Sequence, residues 1–120
     1  MYTNGLGILQ NYAKAVKWYH LAATQGFARA QAFLGDAYYS GHGVPESYIK
    51  AAKWYRLAAV QGYAWAEYSL GYAYYSGEGV RLNYDQAVFW LRKAAAGGGK
   101  NGRAADTLIR DIGQHHSTNN

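Results

Sequence analysis

Residues 12–47 read YAKAVKWYHLAATQGFARAQAFLGDAYYSGHGVPES, and residues 48–83 read YIKAAKWYRLAAVQGYAWAEYSLGYAYYSGEGVRLN; aligned without a gap, 22 of the 36 positions are identical. Repetition at a fixed period of this length marks an array in which each unit buries its apolar face against the next. A third copy begins at Tyr84 (YDQAVFWLRKAAAGG) and decays after Gly98, while residues 1–11 match only the end of a unit. The expected organisation is one domain over 1–120. It holds a partial unit at 1–11, full periods at 12–47 and 48–83, a third first helix at 84–98, a capping helix at 99–113 and a polar tail at 114–120.

Each period reads as two helices. Asn11, Ser47 and Asn83 stand just before the first periodic residue, where a short polar side chain can accept a bond from a free backbone N–H one turn on. Ala15, Tyr19 and Ala22, like Ala51, Tyr55 and Ala58, fall on one face of a helix. Gly26, Gly62 and Gly98 follow at the place where a left-handed residue ends a helix. A second helix is expected over about 28–40 and again over about 64–76, with Leu34 and Leu70 on its apolar face. Gly35 and Gly71 interrupt that helix, at a cost of roughly 1 kcal/mol each against alanine, which points to close helix approach. Near the C-terminus, Leu108, Ile109 and Ile112 predict a last amphipathic helix that closes the array. The fold class expected is all-α, a solenoid of antiparallel helix pairs.

Composition agrees with an ordered chain and narrows its chemistry. Half of the residues are apolar, 13 are tyrosine and 4 are tryptophan, with a single proline. The absence of cysteine removes disulfides, thiolate metal sites and cysteine nucleophiles. No apolar run approaches the roughly 18 residues that a spanning helix needs. No secretory signal is visible after Met1, so no membrane insertion is expected and a cytoplasmic location is the default. The net charge of +5 comes from basic residues spread along the chain rather than from a basic run. Lys14, Lys17, Lys50 and Lys53 recur with the period and read as a solvated face, so no specific nucleic-acid partner is expected.

Candidate chemical sites fare poorly. His20 and His42 are isolated, and no set of ligands has metal-site spacing. Asp36, Glu67, Asp106 and Asp111 form no carboxylate pair suited to acid–base work. Gly41-x-Gly43 and Gly77-x-Gly79 lack the Gly-Lys-Ser/Thr ending of a phosphate loop and read as turns. Neither an enzyme activity nor a cofactor is expected.

The combination Ala30, Leu34, Gly35, Tyr38, Gly41, Gly43, Val44, Tyr48, Lys50, Ala51, Trp54, Tyr55, Ala58, Ala59 and Gly62, repeated one period on, resembles the Sel-one-like repeat, a branch of the tetratricopeptide superfamily. The resemblance covers about residues 2–98. It implies a right-handed superhelix whose concave side binds a protein or peptide, an adaptor role without an active site, and is in keeping with a bacterial source. A cysteine-rich bacterial branch of this family has been linked to penicillin binding, and Ser47-Tyr48-Ile49-Lys50 is a literal S-x-x-K. The S-D-N and K-T-G partners of that chemistry are missing, and Ser47 aligns with the other N-caps, so a penicillin-binding or hydrolysing enzyme is only a distant alternative.

Within the repeat, positions that differ between copies separate binding from packing. On the second helices Arg29/Trp65, Ala32/Tyr68 and Asp36/Tyr72 are spaced i, i+3, i+7, with Tyr39 and Tyr75 continuing the stripe. In the tetratricopeptide relatives this face lines the groove. Arg29, Asp36, Tyr39, Trp65, Tyr68, Tyr72 and Tyr75 are therefore the candidate partner-binding residues, since aromatic anchors dominate interface energetics. The competing reading is that the stripe packs against its neighbouring helix. Trp18, Trp54 and Trp90 recur with the period and are expected to seal one unit against the next. A structural alternative for the whole chain is a piece of a longer solenoid, or an oligomer joined through the N-terminal face, with no ligand groove of its own.

Overall fold

A computed structural model describes residues 5–118, with side chains over 11–114. Six helices follow one another: α1 (Gly5–Thr24), α2 (Ala28–Ser40), α3 (Tyr48–Ala59), α4 (Ala64–Ser76), α5 (Tyr84–Ala96) and α6 (Gly99–Thr118). No strand occurs among the described residues. Each helix packs on the next, most extensively α2 on α3 and α4 on α5, and α4 also reaches α6. The resulting rod measures 52 × 28 × 26 Å.

Helix ends follow the polar and glycine signals. Ser47 Oγ accepts from the Lys50 backbone N–H at 3.2 Å, and Asn83 Oδ1 accepts from that of Gln86 at 3.0 Å. The serine of S-x-x-K is thus a helix cap, and the Lys50 ammonium lies 5.5 Å from the centre of the Tyr38 ring. At the other end, Gly62 (φ +87°) donates to the Ala59 carbonyl while Tyr63 donates to Ala58, the paired bonds of a Schellman turn. Gly26 and Gly98 occupy the same left-handed position.

Three expectations need correction. Helix α1 begins at Gly5, so Asn11 lies inside a helix and caps nothing. In the later units the loop is pulled off the helical path by a backbone bond from Ser47 to Tyr38, and from Asn83 to Tyr74. The corresponding partner of Asn11 would be Tyr2, which lies outside the described residues. Helix α6 runs to Thr118, past the expected end at 113, so the polar tail begins as helix; the last two residues lie outside the described part. Trp18 is 72% exposed instead of sealing an interface. Trp54 packs against a cluster on α1 and α2, and Trp90 against one built mainly by α3 and α4. Among the described residues no earlier unit stands where Trp18 would make the equivalent contact.

Small residues set the core. Leu34 is fully buried in a cluster with Ala23 and Ala30, Leu70 with Ala51, Ala58 and Ala66, and Leu91 with Ala87 and Ala94, small residues that let helices approach closely. Gly35 and Gly71 show the same economy. A methyl group on Gly35 would stand 2.7 Å from the Tyr55 ring, and one on Gly71 would stand 2.8 Å from Leu91 Cγ. The mid-helix glycines are thus the seats of the side chains that cross from α3 and α5.

Candidate functional site

Because Gly35 lets the Tyr55 ring pass, the Tyr55 hydroxyl reaches the far side of α2 and donates to Asp36 Oδ1. Trp65 on α4 donates its indole N–H to the same oxygen at 2.9 Å. Three helices are therefore pinned at one carboxylate. Around it lies a cavity of about 400 Å³ lined by Asp36, Tyr39, Ser40, Tyr55, Trp65, Tyr68, Ser69 and Tyr72. That volume falls toward the lower end of the roughly 300–1,000 Å³ range of ligand pockets, room for a side chain or two rather than a large cofactor. A second recess of about 160 Å³, lined by Tyr12, Tyr19, Phe33, His42 and others, shares Asp36 and Ser40 with the first. Asp36 stands where the two meet.

Five of the seven residues singled out from the stripe, Asp36, Tyr39, Trp65, Tyr68 and Tyr72, line the larger cavity. Arg29 does not, although it is the counterpart of Trp65 one unit earlier. Its guanidinium lies 5.4 Å from the centre of the Phe33 ring. Tyr75 also lies outside the cavity, with its hydroxyl donating to Asp111 and its ring 5.9 Å from Tyr72 and 6.1 Å from Tyr84. Tyr55, Ser40 and Ser69 join the site unannounced. The period of Tyr55 places it on the packing face of its helix, and its ring does pack there; only the hydroxyl emerges. The sequence signal of such a crossing is a glycine followed by an acid on one helix, Gly35-Asp36, facing a tyrosine on the next.

Tyrosine hydroxyls and carboxylates alternate along this face. Tyr39 donates to Glu78 Oε1 at 2.9 Å, joining the Tyr55–Asp36 and Tyr75–Asp111 pairs. Burial, reinforced by the bond to Asp36, raises the Tyr55 pKa well above the ordinary tyrosine range, and burial with the Glu78 bond does the same for Tyr39. For Tyr75 the bond to Asp111 comes first and burial second, and its pKa is pushed up to about 12. In each case the folded state holds the phenolic proton more tightly than an unfolded tyrosine near 10.0 does. Stability from these bonds is complete below pH 10 and is lost as the pH rises through the folded values. From neutral pH to about pH 10 urea midpoints are expected to be flat, and to fall above it, with tyrosinate absorbance lagging behind that of free tyrosine until the fold opens.

Among the described residues, no group of three or more His, Cys, Asp or Glu side chains is placed to hold a metal ion. No described helix is long and apolar enough to cross a membrane.

The family model of the Sel1 repeat matches residues 1–27, 28–63 and 66–99. The chain belongs to the Sel1 repeat family. The second and third matched units start at α2 and within α4, the helices that carry Leu34-Gly35 and Leu70-Gly71, so a full unit of the family corresponds to the tightly packed α2/α3 or α4/α5 pair. Solved structures agree on the fold. A Sel1 repeat protein from Oxalobacter formigenes is 42% identical with a TM-score of 0.75, over 81% of this chain and 39% of that one. A protective antigen present in uropathogenic Escherichia coli strains, displaying an SLR fold, is 44% identical with a TM-score of 0.72, over 73% of this chain and 19% of that one. Cysteine rich protein B of Helicobacter pylori is 30% identical with a TM-score of 0.70, over 78% and 68%. The chain thus spans less than half the length of the first two structures. No curated protein matches it. Sel1 repeat proteins are an all-α, tetratricopeptide-like group that generally serve as non-enzymatic scaffolds for protein–protein interaction.

Proposed function

We propose that this Sel1 repeat chain binds an extended segment of a protein partner along the face of α2 and α4, in the cavity between Asp36 and Tyr72. The observation that carries this reading is the cavity itself, walled by four aromatic rings, Tyr39, Trp65, Tyr68 and Tyr72, with the Tyr55 hydroxyl at its floor, at the junction of two units. Trp65 is 39% exposed beside Tyr68 in the cavity wall, which leaves ring surface for a bound segment to cover. Tyrosine and tryptophan give much contact area for little entropy lost, which is why a few such residues dominate binding energies. A pull-down from the source organism's lysate, comparing the wild type with a Tyr68→Ala/Tyr72→Ala variant of native helicity, tests it. A partner held by the wild type and lost by the variant is the expected result; equal capture by both would sink it.

A second reading has its own observation. Trp18 is 72% exposed on α1, where its counterpart Trp54 packs against the preceding unit. Two copies pairing there would be detected by sedimentation as a dimer that Trp18→Ala dissociates.

A further inference from the structure

Building on that reading of the groove, we infer that the pocket at Asp36 takes a cationic side chain, arginine or lysine, presented by the bound segment. The first ground is charge. The chain carries a net +5, yet Asp36 is the one charged residue in the lining of the larger cavity, and the carboxylate bonded to Tyr39 next to it is Glu78. Both hydrogen bonds to the Asp36 carboxylate fall on Oδ1, from Tyr55 and Trp65, which leaves Oδ2 without a donor among the described residues.

The second ground is how the protein uses its own cations. Four aromatic rings elsewhere are each covered by one. Arg29 lies over Phe33, Lys50 over Tyr38, Arg56 over Tyr74 and Lys93 over Phe89, all between 5.1 and 5.6 Å from the ring centre. The rings that wall the pocket, Tyr39, Trp65, Tyr68 and Tyr72, receive none among the described residues. They surround an acid that has an oxygen to spare. An incoming cation would meet ring faces and a carboxylate together, within the roughly 6 Å at which the ring quadrupole attracts charge. An acidic segment would meet Asp36 and Glu78 with like charge, and an aliphatic one would leave Oδ2 desolvated and unpaired.

The test uses an array of immobilised ten-residue Gly/Ser peptides carrying three spaced arginines, lysines, citrullines, glutamates or leucines, probed with the labelled full chain. Citrulline keeps the shape of arginine without its charge. Retention on arginine and lysine peptides at least about tenfold above citrulline is expected, and Asp36→Asn, whose amide oxygen still accepts from Tyr55 and Trp65, should abolish that margin. Tyr68→Ala/Tyr72→Ala should abolish retention altogether. Equal retention on citrulline or leucine peptides that the double variant still removes would overturn the cation inference and leave the groove standing. Preference for glutamate peptides, retention indifferent to both variants, or no retention on any peptide would overturn it as well, and the last two outcomes would take the groove reading with it.

Discussion

Gly79→Ala is expected to destabilise the fold by roughly 2–4 kcal/mol, while Gly62→Ala costs only about 1 kcal/mol, although both glycines have nearly the same backbone conformation. Gly79 has φ +80° and Gly62 has φ +87°, so the conformational penalty for an L side chain is shared. Surroundings separate them. Nothing lies within 4 Å of a methyl group added to Gly62, whereas at Gly79 the same group would overlap the Tyr48 carbonyl and stand 3.0 Å from the Ile49 nitrogen. Those are backbone atoms at the start of α3, held by the Ser47 cap, and they cannot rotate aside as a side chain would. The loop after α4 rests on the first turn of α3, and Gly43, in the loop after α2, rests likewise on α1, where an added methyl group would stand 2.6 Å from the Tyr12 carbonyl oxygen. Urea unfolding of the two variants against the wild type measures the difference. Equal midpoints would mean that the loop gives way and that the second glycine of Gly-x-Gly serves the turn alone.

That contrast shows what a repeating sequence discloses and what it conceals. The bounds of α2 and α4 agree with expectation to the residue because local signals, Gly41 and Gly77 in the left-handed region, end them. The close approach at Gly35 and Gly71 was legible for the same reason: a costly residue repeated at one register has to be repaid by packing. The start of α1 was not legible, because a loop in this fold is held by a bond nine residues back and not by its own composition. In the candidate site, helical spacing grouped Asp36, Tyr39, Trp65, Tyr68 and Tyr72 correctly as neighbours, since they share one face of adjacent parallel units. Spacing along a helix says nothing about what crosses from another, and so it missed Tyr55 beneath the floor of the cavity. It also carried Arg29 and Tyr75 into the set, where Phe33 and Asp111 hold them elsewhere.

The tryptophans at 18, 54 and 90 put the same lesson in energetic form. They are one residue by period and three by environment, so their replacement by alanine should give a graded series. Trp90, 7% exposed and packed against Ala58, Ala59 and Leu70, should cost about 3–5 kcal/mol, the range for emptying a large aromatic site. Its indole N–H is buried with no partner among the described residues, which offsets part of the gain from burial. Trp90→Phe removes that orphaned donor while keeping most of the packing, and should therefore cost at least about 1.5 kcal/mol less than Trp90→Ala. Trp54, half-buried with His20 edge-on at 5.8 Å, should fall between the extremes. Trp18 should change stability by no more than about 0.5 kcal/mol, because most of its surface already meets solvent. If Trp18→Ala instead unfolds the protein as readily as Trp90→Ala at high concentration, and the loss fades on dilution, then a second copy supplies the neighbour that the earlier unit would have been, and the open face of α1 is an interface in solution.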